Sequence, residues 1–284
     1  MRLIKDVNTK KSKARYGYPT KKQLEILYLI YRFRFVNTRH VQLELKQKNV
    51  QSAQMMLTLL HRKGYIGRNY NGRDRLAGRR ATYYLLPSGM RIIRTSEKEC
   101  APKALRLAYK DRTATWQYAD HQIGLGDIRS GLKKYYGSSL KLLFTKADLS
   151  RFDHSLTQIP DMLIGIENKS KEPDVSKGST ASSNYFFLDY YTQSLSFFGL
   201  KKRIKNNLTV IKDNELETEL GSKLSGILLV CSTPRIFNRV IKLAKKSIER
   251  AYLDGPCFYV TTREKLLNNG NNGQIWTEIF DEDE

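Results

Sequence analysis

Apolar residues in the first third of the chain recur at helical spacing three times, after which the period changes. In TKKQLEILYLIYRFRFV, residues 20–36, Leu24, Ile26, Leu27, Leu29, Ile30 and Phe33 give a helix one core face, with Thr20 as its N-cap. NTRHVQLELKQKN (37–49) opens on the cap-like pair Asn37-Thr38 and carries Val41, Leu43 and Leu45. VQSAQMMLTLLHRKGYIG (50–67) carries Ala53, Met56, Leu57 and Leu60, and Gly64 closes this third helix. Two strand-like runs, YIGRNY and ATYYLLP, then flank the polar turn NGRDRLAGRR, which predicts a hairpin leading into a helix at SGMRIIRT. From residue 115 the pattern is a long helix (Ile123, Leu125, Ile128, Leu132 and Tyr136), then strands at LKLLFTKADL, IPDMLIGIE and NYFFLDYYT. A helix at SLSFFGLKKRIKNNL, a strand at GILLVCST, a helix from Pro234 and a strand at CFYVTT complete it.

Composition divides the chain in the same way. Over 284 residues, 40% are hydrophobic, enough for real cores rather than global disorder. The net charge is +22, and residues 1–98 hold 23 Lys and Arg against 5 Asp and Glu, a net of +18. Residues 99–284 hold 27 against 23, a net of +4. Such segregation predicts a polyanion-binding module joined to a near-neutral domain. The expected organisation is a flexible basic arm (1–19), a DNA-binding domain (20–98), a connector (99–113) and an α/β domain with an acidic tail (114–284). Cys100, Cys231 and Cys257 have no CxxC spacing, and the four histidines lie too far apart for a zinc finger, so no structural metal is expected. No run approaches a membrane span of about 18 apolar residues, and the start lacks a signal-like apolar region. A cytoplasmic protein with reduced thiols is the expectation.

Three short helices followed by a Gly- and Arg-rich hairpin is the order of a winged helix-turn-helix, whose third helix enters the major groove while the wing flanks the backbone. With Ala53, Met56, Leu57 and Leu60 buried, Gln51, Ser52, Gln54, Thr58, His61 and Arg62 are left on the other faces. Gln pairs bidentately with adenine, so Gln51 and Gln54 are expected to read bases. Arg68, Arg73, Arg75, Arg79 and Arg80 of the wing are expected on phosphates of double-stranded DNA.

The second part orders its elements as helix, three strands, helix, strand, helix, strand, a three-layer α/β arrangement with a mixed sheet, as in the restriction-endonuclease-like core. No P-loop, GxGxxG or GxSxG is present. TWQYADHQIGLGDIRSGLKKYY, IPDMLI and YFFLDYYTQSLSFFGLKKRIKNN together resemble the replication-relaxation family of plasmid and mobile-element proteins, which includes MobC-type relaxosome components. The resemblance runs from about Thr20 to about Ala251. It implies a winged helix before a degenerate PD-(D/E)xK-like domain, a role in plasmid replication or mobilisation, and a relaxase or replication protein as partner. The second domain is expected to serve protein contacts, homodimerisation or a further DNA surface. Carried over by motif position are His121, Asp127, Asp161 and Asp189.

Asp161 and Asp189 are the candidate metal carboxylates of a Mg²⁺-dependent nuclease. In that arrangement a lysine stands two residues after the second acid, on the same strand face. Tyr191 stands there instead, which weighs against catalysis and against any cofactor; Lys201 or Lys202 on the next helix is the candidate substitute. The leading expectation is a non-catalytic DNA-binding accessory protein. A winged-helix transcriptional regulator and a Mg²⁺-dependent endonuclease are the alternatives.

Overall fold

The structure, a computed structural model, describes residues 18–96, 100–151, 159–167, 183–213, 224–250, 257–268 and 273–279. Most of the expected basic arm and the acidic end of the chain lie outside the described residues. The chain divides into two compact units, Met1–Ala114 and Thr115–Glu284. Its class is mixed α and β, with eleven α-helices and a mixed six-stranded sheet among the described residues.

In the first unit, α1 (Lys21–Phe33) starts where Thr20 accepts from the Gln23 backbone N–H and Gln23 accepts in return, a reciprocal cap. Asn37 and His40 repeat the device at α2 (Thr38–Glu44), and Asn49 caps α3 (Val50–Arg62). Ala53, Leu57 and Leu60 bury the inner stripe of α3 against a core that includes Ile26, Leu27, Ile30 and Phe33. Gly64 turns the chain after α3 with φ of +71°, a conformation that costs a side-chain-bearing residue strain. Strands β1 (Ile66–Asn69) and β2 (Thr82–Leu85) pair antiparallel from Ile66 opposite Leu85 to Asn69 opposite Thr82. Val36 bridges Tyr83, adding a third short edge. The hairpin tip contains a short helix, α4 (Gly72–Leu76), where only a turn is expected from the sequence. After β2 come α5 (Pro87–Arg94) and α6 (Pro102–Ala108). Residues 100–113 thus have structure of their own and dock on α1: Arg34 donates to both carboxylate oxygens of Asp111, at 2.8 and 2.5 Å, and Tyr31 accepts from the Ala101 N–H.

The second unit begins with α7 (Trp116–Tyr136), capped by Thr115. There follow β3 (Leu140–Thr145), α8 (Lys146–Leu149), β4 (Met162–Glu167), β5 (Ser183–Tyr191), α9 (Phe197–Asp213), β6 (Leu224–Cys231), α10 (Pro234–Glu249), β7 (Phe258–Thr262), α11 (Arg263–Asn268) and β8 (Thr277–Ile279). The strands lie side by side in chain order. β3, β4 and β5 are antiparallel, β5, β6 and β7 parallel, and β8 closes the far edge antiparallel. The parallel part requires crossover helices, which α9 and α10 supply.

Strand alternation sorts the layers. Phe187 and Tyr191 join Leu200, Ile204, Val240, Ala244 and Ile248 in one core on the α9–α10 side, and Asp189 shares their face. Tyr190 points to the opposite face, where its ring lies against Gly124 of α7 so closely that a Cβ at residue 124 would collide with it. Helix, sheet and helix pair therefore form three layers, and residues 189–191 stand where β5 leaves them.

Candidate functional site

The two strand carboxylates converge. Asp161, just before β4, is 1% exposed, and Asp189 on β5 is 0% exposed. The Asp161 N–H donates to Asp189 Oδ1 at 3.2 Å, so backbone fixes the separation of the two acids. Buried carboxylates are tolerated only with charge or hydrogen-bond partners, and here every oxygen has one. Asp161 Oδ1 receives Lys146 Nζ at 2.6 Å and an Arg203 guanidinium nitrogen at 3.1 Å. Its Oδ2 accepts the Tyr190 N–H at 2.9 Å and lies 3.4 Å from His121 Nε2. Asp189 Oδ1 is 3.4 Å from the same Arg203, and Oδ2 accepts from Asn207 Nδ2 at 2.9 Å.

Electrostatics follow this geometry. Burial alone would raise the Asp161 carboxyl, but Lys146, Arg203 and His121 outweigh it and hold it well below the usual carboxylate range. Burial would lower the Arg203 guanidinium, yet Asp189 and Asp161 raise it further above its ordinary value. Burial, with Asp189 adding to it, raises the Tyr191 phenol far above the usual tyrosine range. Its hydroxyl has no hydrogen-bond partner among the described residues, so Tyr191 is a neutral core residue and not an activated nucleophile.

Arg203 answers the absent lysine. Its guanidinium carbon lies 5.8 Å from the centre of the Tyr191 ring, so a cation does reach the strand position that lacks one, arriving from α9. Lys201 and Lys202, the expected substitutes, are exposed on that helix and do not enter the centre. Asp127 does not join the cluster either. It lies six residues from His121, about 120° away around α7 at roughly 100° per residue, and it pairs with Arg263 of α11. The Arg263 guanidinium also lowers the Tyr190 phenol, against the larger rise that burial gives it. Lys146, Arg203, Asn207 and Arg263 were missed in the sequence. Leu200, Ile204 and Leu208 bracket positions 203 and 207 on the buried arc of α9, a signal that the run KKR obscures.

As arranged, the donors do not fit Mg²⁺. A divalent ion between Asp161 and Asp189 needs free carboxylate oxygens and no cation in its place, whereas Lys146 and Arg203 stand on Asp161 Oδ1, Arg203 on Asp189 Oδ1, and Asn207 donates to Asp189 Oδ2. No group of three or more His, Cys, Asp and Glu is placed to hold a metal among the described residues. A cleft of about 270 Å³ lies over the centre, with His121, Lys146, Tyr190, Thr192 and Arg203 in its wall.

The expected DNA-reading residues belong to the first unit. Gln51, Ser52 and Arg62 are exposed on α3 and Thr58 is half-buried. Gln54 is committed internally: its Oε1 accepts from the Thr38 hydroxyl at 2.8 Å, and its Nε2 donates to the Tyr83 hydroxyl at 3.1 Å. Both of its amide groups are thus already engaged within the unit. The His61 ring is also tied down, with Nδ1 3.0 Å from the Ile66 carbonyl oxygen. On the hairpin, Arg68, Arg75, Arg79 and Arg80 are exposed; the side chain of Arg73 lies outside the described residues. Arg68 stacks on Tyr70 at 4.8 Å, and Arg79 stands 3.7 Å from Asp74.

No helix among the described residues is long and apolar enough to cross a membrane. In comparisons with known proteins, no family model and no curated sequence matched the chain.

Proposed function

We propose that the protein is a non-catalytic DNA-binding protein whose first unit is a winged helix and whose second unit is an endonuclease-like domain with a reorganised centre. We further read it as a replication-relaxation type accessory of plasmid or mobile-element replication or mobilisation, working beside a relaxase or replication protein. The motifs around His121, Asp161 and Asp189 support that narrower reading.

The observation that carries DNA binding is a free helix face next to an arginine hairpin. Gln51, Ser52 and Arg62 stand exposed on the third helix, and Arg68, Arg75, Arg79 and Arg80 stand exposed on the hairpin after it. Helix side chains of these types read base edges, and arginines on the flanking hairpin neutralise phosphates. The lack of catalysis is supported by the full use of both carboxylates in ion pairs and hydrogen bonds.

Titration of the full chain with labelled duplexes tests this reading. Replacing Gln51 and Ser52 by Ala is expected to change the ranking of DNA sequences, and replacing Arg68, Arg75, Arg79 and Arg80 by Ala to weaken binding to all of them. Binding that neither set alters would overturn it.

A further inference from the structure

The second unit is nearly charge-balanced, with 23 Lys and Arg against 21 Asp and Glu over residues 115–284. Its cations are not spread evenly. Residues 197–213 and 234–250, which are α9 and α10 with Arg250, hold 11 Lys and Arg against 2 Asp and Glu. These helices pack side by side on one face of the sheet, and a groove of about 400 Å³ runs between them. Lys201, Lys205 and Lys212 line one wall, and Ser247 and Arg250 the other, with Thr209 between.

Spacing makes the lysines a stripe. Positions i, i+4 and i+11 fall within about 40° of arc on an α-helix and span roughly 16 Å at about 1.5 Å per residue. Among the described residues none of these four cationic side chains has an acidic partner, in contrast to Arg203 on a different face of the same helix. A small anion calls for convergent donors around one point. A linear row of lysine point charges suits a repeating polyanion, and each strand of duplex DNA presents a phosphate about every 3.4 Å of axial rise.

We propose that the α9–α10 groove is a second DNA-backbone site, sequence-independent and separate from the reading face of the first unit. Lys201, Lys205, Lys212 and Arg250 contact phosphates there.

The test uses the full chain carrying Lys201→Ala, Lys205→Ala, Lys212→Ala and Arg250→Ala together, titrated by fluorescence anisotropy with a labelled duplex of about 30 base pairs at salt from about 50 to 300 mM. Each phosphate contact contributes about 0.9 to the slope of log affinity against log salt, so a loss of about 3 to 4 is expected, with unchanged ranking of sequences. Replacing the same lysines by Arg restores the slope. A wild-type slope in the quadruple Ala variant overturns the proposal, as does a loss seen only on phosphatidylserine vesicles. Failure of the DNA-reading proposal is distinguishable, because it shows in the α3 and hairpin variants, whose substitutions leave the groove intact.

Discussion

Replacing Arg203 by Met isolates what the buried ion-pair network contributes. Met keeps most of the side-chain length and removes the charge. Arg203 is 20% exposed and reaches Asp161 at 3.1 Å and Asp189 at 3.4 Å. Without it Asp161 retains Lys146 and His121, but Asp189 keeps only Asn207 and the Asp161 N–H, with no cation. Removing one partner of a buried pair typically costs about 3–5 kcal/mol, because the other charge stays desolvated. In a unit of this size about 2–4 °C is lost per kcal/mol, which gives a fall in Tm of roughly 6–20 °C. Asp161 titrates below its unfolded value of about 3.9, so its contribution is complete above that pH and fades as pH falls through the native value. Urea unfolding at about pH 7 and about pH 3 therefore shows a large deficit at the first and a smaller one at the second. Adding Asp189→Asn to Arg203→Met recovers about 1–3 kcal/mol relative to the sum of the single changes. Equal stability of Arg203→Met and wild type, or a deficit indifferent to pH, would refute the reasoning.

Three further outcomes are expected. Gln54→Ala costs about 1–2 kcal/mol in urea unfolding through its lost bonds to Thr38 and Tyr83, with the ranking of DNA sequences unchanged; an altered ranking would show that Gln54 reads bases. Tyr191→Phe is neutral or stabilising by about 1 kcal/mol in thermal melts, since it removes a buried hydroxyl without a hydrogen-bond partner among the described residues. Burial pushes the Cys231 thiol up to about 12 and the Cys257 thiol up to about 11, so both react far more slowly with a thiol reagent at about pH 8 in the folded protein than in urea.

Much of the fold was legible because its elements follow strong periodicities. The α3 stripe of Ala53, Leu57 and Leu60, the paired strands around the Gly- and Arg-rich turn, and the β-rich middle of the second unit all show in the pattern of apolar residues. The helix inside the hairpin did not show, because Gly72–Leu76 is one turn long with no apolar repeat. The meeting of Asp161 and Asp189 was legible from two adjacent strands. Their partners were not, because Lys146 follows a strand end and Arg203 sits between lysines of the same charge, so only three-dimensional placement separates the buried cation from the exposed ones. Gln54 misled for the opposite reason. A polar residue beside the buried stripe reads as a free contact until its two hydrogen bonds are seen.

The most direct measurement incubates the full chain with supercoiled plasmid in Mg²⁺ and in Mn²⁺, beside Asp161→Asn and Asp189→Asn, and follows both mobility shift and nicking. A non-catalytic DNA-binding protein retards the plasmid and leaves it supercoiled under every condition. Nicking by the wild type that both substitutions abolish would contradict this and make the carboxylate pair a working metal centre.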